Sequence, residues 1–208
     1  MLSPEQFFAF LAASVLITAT PGPDNLMVMG LGISRGARPG MAFGLGCATG
    51  CISHTLLATL GVSAVLAASP LAFTLLKIAG GVYLCILGWR ALKSRGGLGP
   101  VTASPATETV GRLFARGLLA NAINPKVMLF FLSFLPQFIE PAKGQVAMQT
   151  AALGMVFAVQ AAVLFCLLAA FAGRISQRLQ RSPRASLWLD RITGALFIAL
   201  GVRLVLAR

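Results

Sequence analysis

Apolar residues gather into six long stretches, at roughly 6–30, 40–65, 70–90, 113–138, 146–172 and 187–207. Charged residues, glycine and proline collect between them. A helix that crosses a bilayer needs about 20 apolar residues, so this pattern predicts six transmembrane helices with short connections. Only the connection between the third and fourth stretches, about residues 91–112, is long enough to be a real loop. Its Gly96, Gly97, Gly99, Pro100, Ser104 and Pro105 predict a solvent-exposed linker. The connection from Gly173 to Ser186 is basic and contains Pro183.

Composition narrows the class. The chain has 208 residues and 21.7 kDa, with 57% hydrophobic and 11% charged residues and a mean hydropathy of +0.86. A soluble domain usually carries about 25% charged residues, so this chain has too little polar side chain to cover a water-facing surface. A soluble enzyme, a disordered chain and a secreted disulfide scaffold are excluded. The four cysteines, Cys47, Cys51, Cys85 and Cys166, lie within apolar stretches, where free buried thiols are expected.

The net charge of +12 reads as topology rather than as nucleic-acid binding. Of the 17 Lys and Arg residues, twelve flank or occupy the 1–2, 3–4 and 5–6 connections. Three, Lys143, Arg203 and Arg208, fall on the opposite side, and Lys77 and Lys126 lie within spans. Cytoplasmic loops carry the excess of basic residues, which predicts both termini outside. Met1 to Glu5 contain no Lys or Arg, unlike the basic start of a cleaved signal peptide, so the first stretch is expected to be a retained span.

The third and sixth stretches are alike. LKIAGGVYLCILGWRAL at 76–92 aligns without a gap on LDRITGALFIALGVRLV at 189–205, matching Gly81 with Gly194, Gly88 with Gly201 and Arg90 with Arg203. The first and fourth are each interrupted, at Thr20-Pro21-Gly22-Pro23-Asp24-Asn25 and at Asn121-Ala122-Ile123-Asn124-Pro125-Lys126. Two similar halves of three spans must insert in opposite senses, because three is odd. The expected fold is therefore an all-α membrane protein of two inverted three-helix repeats, a frequent transporter architecture. One transmembrane domain would comprise repeat 1 at about 1–92, a cytoplasmic linker at about 93–112 and repeat 2 at about 113–208.

The two breaks carry the candidate chemistry. Proline removes a backbone donor and clashes with the preceding turn, so Pro21 and Pro23 around Gly22 should unwind about one turn. Freed backbone groups at membrane depth are tolerated only against protein partners or a cavity. Asp24 adds an acid there, and Lys126 a base beside Pro125. If Pro23 and Pro125 are equivalent, Asp24 and Lys126 are equivalent too, facing each other near the midplane. Such a pair suits a zwitterion: Lys126 for the carboxylate and Asp24 for the ammonium. Alternatively the two form a salt bridge joining the halves, and a bridge that opens for substrate is a gate. Asn25, Asn121 and Asn124 are expected to add polar coordination.

His54, the single histidine, lies deep in the second span, with Gln160 at similar depth in the fifth. Its titration range makes it a candidate proton carrier. Cys47, Cys51 and His54 fall on one helix face and form a soft-metal donor set, although three ligands on one helix seldom close a site. Gly36, Gly40, Gly44, Gly46 and Gly50 have the spacing of tight helix packing. No Ser/His/Asp set, phosphate loop or ATP-binding sequence points to an enzyme, and no metal or cofactor site is expected.

The ATPGPDN run, the glycine-rich second span ending at His54, LKIAGGVYLCILGWRAL and NPKVMLFFLSFLPQF together resemble the LysE/RhtB family of bacterial amino-acid exporters. The resemblance runs from about Gln6 to Leu206. It implies a multi-pass protein of the bacterial inner membrane that moves amino acids or close derivatives outward by proton-coupled exchange. Its signature positions here are Pro21, Gly22, Pro23, Asn25, Asn124, Pro125 and Lys126, with Asp24 in an often polar slot. Cys47 and Cys51 are not part of that pattern. The resulting expectation is a secondary active exporter with alternating access and substrate between spans 1 and 4. Its partners would be an amino acid, protons and the lipid bilayer; a homodimer is compatible with the sequence but not established by it. The other readings are a soft-metal exporter and a non-transporting membrane interaction protein.

Overall fold

The computed structural model of the chain describes residues 2–20, 22–68, 70–94, 108–181 and 183–206. Pro21 and the linker residues Gly96, Gly97, Gly99, Pro100, Ser104 and Pro105 lie outside them. The described residues are mostly helical, without a strand. In chain order the α-helices are α1 Pro4–Ala19, α2 Pro23–Ser34, α3 Ala37–Ala68, α4 Pro70–Lys93, α5 Val110–Ala122, α6 Pro125–Leu129, α7 Val146–Arg181 and α8 Pro183–Leu206. A π turn at Phe130–Phe134 and 3-10 turns at Leu135–Phe138 and Pro141–Lys143 lie between α6 and α7.

Proline sets the starts. Pro4, Pro23, Pro70, Pro125 and Pro183 each open a helix, the position where the missing N–H has no partner to lose and φ is already helical. Ser3 and Gln6 close a capping box on α1. Gly36, at φ +90°, turns the chain from α2 into α3, a backbone angle that a β-carbon disfavours. A side chain there would touch nothing, so Gly36 is a turn residue and not, as its spacing suggested, part of the packing stripe.

Two helices are long and apolar enough to cross a membrane alone, α3 over Ala37–Gly61 and α7 over Val146–Ile175. At 1.5 Å per residue each exceeds the ~30 Å hydrocarbon core. Two further spans emerge if each bent pair counts as one: α1 with α2, meeting at 62°, and α5 with Pro125–Phe138, meeting at 47°. The basic connection expected at Gly173–Ser186 is instead helical on both sides of residue 182. Arg, Gln and Leu are good helix formers, so α7 continues past its apolar stretch. The fourth stretch ends in π and 3-10 turns rather than α-helix.

Helices α3 and α7 pack along each other at the centre. The α1–α2 pair lies mainly against α7 and α3, and α5 against α3. The α3–α5 contact is nearly backbone on backbone: a β-carbon on Gly46 would collide with the Phe114 carbonyl, and one on Gly117 with that of Phe43. Gly40 and Gly44 let α3 close on the β-carbons of Ala169 and Phe165 of α7. Helices α4 and α8 run together as a pair. Gly81 meets Gly201, and Gly88 meets Gly194, each β-carbon position 2.6–2.8 Å from the opposite carbonyl. This pair touches the body chiefly at Phe130–Phe134, where Gly80 packs on Ser133.

Burial is inverted relative to a water-soluble protein. Leu60, Leu119, Ile123 and Trp188 are exposed, while Asp24, Asn25, His54, Asn121, Asn124 and Lys126 are buried. Lipid solvates the first group, and only protein partners can satisfy the second. A cluster of Phe10, Phe130, Phe131, Phe134, Phe138 and Phe157 packs ring against ring beside the polar centre.

The glycine contacts give a paired expectation. Gly201→Leu overpacks the α4–α8 seam and should cost about 1–3 kcal/mol, read as a lower thermal midpoint in detergent. Gly111→Ala, at a helical position with nothing within 4 Å, should leave that midpoint unchanged or raise it by the helix propensity of alanine.

Candidate functional site

The breaks at Gly22 and Asn124 bring four helix ends together. A helix leaves its last four carbonyls and first four amides unpaired, and in lipid each needs a protein partner. At the end of α1, the Thr18 carbonyl accepts from Asn25 Nδ2 at 2.8 Å. Those of Ile17 and Thr20 accept from Lys126 Nζ at 3.2 and 3.1 Å. Asn25 thus staples α2 back onto α1, and Lys126 of the other broken pair supplies a cation where a helix C-terminus favours one.

The reverse contact is made by Asp24. Its Oδ2 accepts from Asn121 Nδ2 at 3.0 Å and Asn124 Nδ2 at 2.9 Å. Asn124 also caps α6 by accepting from the Lys126 backbone N–H at 3.0 Å. Each charge is therefore held by neutral groups, three residues apart, at the break of the other pair. The Asp24–Lys126 salt bridge considered from sequence is not formed: the ion pairs of the described residues are Arg116–Glu108 and Lys143–Glu140. Asp24 is satisfied by amide donors and Lys126 by carbonyls, so neither needs the other in this arrangement.

Gly22 is in extended backbone, φ −161°. Its role is space, because a β-carbon there would stand 3.0 Å from Lys126 Nζ. Pro23 and Pro125 open the helices that carry Asp24 and Lys126. Of the sequence-predicted group, Pro21 lies outside the described residues; the others, from Gly22 to Asn25 and from Asn121 to Lys126, come together.

Asn121 is the hub. Besides Asp24, its Oδ1 accepts from Cys51 Sγ at 3.4 Å and its carbonyl from the Asn124 N–H at 2.8 Å. His54 Nε2 lies 2.8 Å from the same carbonyl. A carbonyl only accepts, so Nε2 carries a proton. Nδ1 has no partner, and the ring lies against Phe131. His54 thus reaches Asp24 through Asn121. Cys51 and His54 both turn to Asn121 rather than to a common centre, and among the described residues no group of three or more His, Cys, Asp or Glu could hold a metal ion.

Gln160 stands apart from this cluster, on the α1 side. Its Nε2 donates to Thr18 Oγ1 at 2.8 Å and to the Ser14 carbonyl at 3.4 Å. Between the two sides lies a small cavity of about 10 Å³, the room of one water molecule. Asp24, Asn25, Asn121, Lys126 and Thr18 line it with Phe157, Ala161 and Phe165 of α7. Sequence reading missed Ile17, Thr18, Thr20 and the α7 residues. The carbonyls carry no side-chain signal, whereas the Phe157-x3-Ala161-x3-Phe165 row was a readable signal for one helix face.

Fold and site together define a helical membrane protein with a buried polar centre at two helix breaks. The chain belongs to the LysE type translocator family, which matches residues 15–208; the family comprises transport proteins, not enzymes. It is 34% identical over 98% of both chains to the homoserine/homoserine lactone efflux protein of Salmonella typhimurium. It is 29% identical to the threonine efflux protein of Escherichia coli, over 97% of this chain and 98% of that one. No solved structure matches the chain.

Asn121→Leu is expected to be the most destabilising single change at the centre. It strips Asp24 of one donor and Cys51 of an acceptor, a loss of about 1–3 kcal/mol for a buried charged acceptor left short. Thermal unfolding in detergent would show it; Asn25→Ala, which frees the Thr18 carbonyl but leaves both amide donors on Asp24, should be milder.

Proposed function

We propose that the protein exports amino acids or close derivatives across the bacterial inner membrane as a secondary active transporter. The observation that carries this reading is the crossed arrangement of Asp24 and Lys126, two buried opposite charges each held only by neutral groups around a common cavity. An amino acid offers the complement: its carboxylate replaces the Ile17 and Thr20 carbonyls on Lys126, and its ammonium replaces the amides on Asp24. Exchanging neutral partners for charged ones strengthens each hydrogen bond. The efflux proteins that the chain resembles in Salmonella and Escherichia act on amino acids or a lactone of one by their names, in keeping with this site.

The cavity is too small for an amino acid in the arrangement described. Binding therefore requires the broken pairs to separate, and alternating access follows if they separate on one face at a time. The two-repeat organisation, about 1–92 and 113–208 around a cytoplasmic linker, supports such rocking. Its support is reciprocity: Gly81 on Gly201 maps onto Gly194 on Gly88 when the halves are exchanged, as the charges at the two breaks also do. Both termini lie outside in this reading. His54, joined to Asp24 through Asn121, is the group for proton coupling.

Efflux from vesicles preloaded with a panel of labelled amino acids, with and without an uncoupler, tests the function. Protein-dependent, uncoupler-sensitive efflux is expected; none across the panel, with the protein inserted, would overturn the proposal. Asp24→Asn and Lys126→Ala should each slow efflux at least ~30-fold, the worth of a charge-assisted hydrogen bond. Because the two side chains do not pair, Asp24→Lys with Lys126→Asp should not restore it. His54→Gln keeps a donor for the Asn121 carbonyl but binds no proton, so efflux should lose its pH dependence.

A further inference from the structure

We infer that the groove between α4 and α8 is a binding site for an anionic phospholipid, with one acyl chain along the groove and the phosphate on Arg90. The inference goes beyond export and stands apart from it, because no residue of the charged centre takes part.

Close packing of the pair makes the groove. Gly81 on Gly201 and Gly88 on Gly194 bring the two backbones together, and larger side chains flank that seam. Ile86 and Trp89 of α4 and Ile198 and Val202 of α8 are among the walls, and the volume is about 570 Å³, in the range of a cleft that holds a single small ligand. Ile86, Trp89 and Val202 are exposed, so the groove opens to whatever surrounds the protein. The register of the seam gives it a direction: Val82 lies with Val205 at one end, and Trp89 and Arg90 lie with Ile198 at the other. The eight steps from Val82 to Arg90 rise about 12 Å. That is close to the depth of one leaflet, half of the ~30 Å hydrocarbon core.

Charge says what fills it. Among the described residues that line the groove, Arg90 is the sole charged one, and no carboxylate, amide or hydroxyl side chain joins it. Lys93, one turn further along α4, holds its Nζ 4.9 Å from the centre of the Trp89 ring. Neither cation is paired with a carboxylate, since the ion pairs of the described residues are Arg116–Glu108 and Lys143–Glu140. An apolar trough with two unpaired cations at one mouth complements an acyl chain that ends in a phosphate. Guanidinium binds phosphate through a planar fork of donors, and tryptophan favours the headgroup level. A headgroup with an ammonium of its own finds no acceptor side chain in the groove, so a net negative headgroup is preferred. In the topology proposed above this mouth faces the cytoplasmic leaflet, where basic pockets between helices hold anionic headgroups. A second copy of the chain fits less well. Helices associate in lipid through small residues, but Gly81, Gly88, Gly194 and Gly201 are occupied by the seam and large side chains face outward.

Native mass spectrometry of the full-length protein, stripped of lipid in detergent, compares phosphatidylglycerol with phosphatidylethanolamine of the same acyl chains. The wild-type monomer should retain phosphatidylglycerol in preference. Arg90→Gln and Lys93→Gln should each weaken that retention about 5-fold, and together about 30-fold, from the worth of one basic residue near an anionic headgroup. Arg112→Gln removes the same charge from α5, which does not line the groove, and should change nothing. Val202→Trp fills the groove, leaves the charges in place and should abolish retention. A ligand that binds the folded state raises the thermal midpoint, so phosphatidylglycerol should stabilise the wild type but not the variant carrying both Arg90→Gln and Lys93→Gln. Equal retention of the two lipids, an equal loss in Arg112→Gln, or retention unchanged by Val202→Trp would overturn the site. A dimer that Val202→Trp dissociates would also overturn it and give the groove to a second copy. None of these outcomes bears on export, which the vesicle assay tests by itself.

Discussion

Two charges buried in a protein that lipid surrounds must be solvated by the protein itself, and the rest of this structure is arranged around that requirement. Asp24 and Lys126 sit where helices are broken, so backbone groups freed by one break serve the charge beside the other. The Ile17 and Thr20 carbonyls solvate Lys126, while Asn121 and Asn124 solvate Asp24. The breaks would be expensive without the charges, and the charges would be expensive without the breaks. This interdependence ties the α1–α2 pair to the α5–α6 pair more specifically than apolar packing could, since lipid tails compete equally for apolar faces.

Close helix packing supplies the frame. Glycines of α3 bring α5 to backbone contact and α7 up to its β-carbons, and the α3–α5 contact sets Cys51 and His54 of α3 against Asn121. The α4–α8 pair, locked glycine on glycine, stands almost as a separate body and meets the rest at the π turn Phe130–Phe134. A π turn is a poorer continuation of a helix and a frequent feature of functional segments. Here it continues α6, the short helix that carries Lys126, and sets Phe131 against His54. The polar centre, the aromatic cluster and the outer helix pair therefore meet within one turn of chain.

Under the proposed export function there is a conflict, because groups that would suit a zwitterion must also be stable without one. Direct pairing of Asp24 with Lys126 would settle it too well, since substrate would then have to break a desolvated ion pair. Neutral partners hold both charges more weakly and leave each ready for exchange.

Much of this was legible in the chain. Long apolar stretches dictated a membrane protein, because so few charges cannot cover a water-facing surface. The prolines at 23 and 125 marked the breaks that carry Asp24 and Lys126, and Gly81, Gly88, Gly194 and Gly201 marked the likeness of the third and sixth stretches, although their packing against each other was not read. Helix extents were less legible: α7 outruns its apolar stretch, and Gly36 turns the chain instead of packing, because periodicity does not register where the bilayer ends or what φ a glycine adopts. Only the tertiary structure decided the partners of the buried charges. Backbone carbonyls at Ile17 and Thr20 have no letter of their own in a sequence, and which amide faces which acid depends on how the breaks cross. Covalent order determined the class of protein and the residues available for its site; three-dimensional packing determined that the acid and the base hold each other's helices rather than each other.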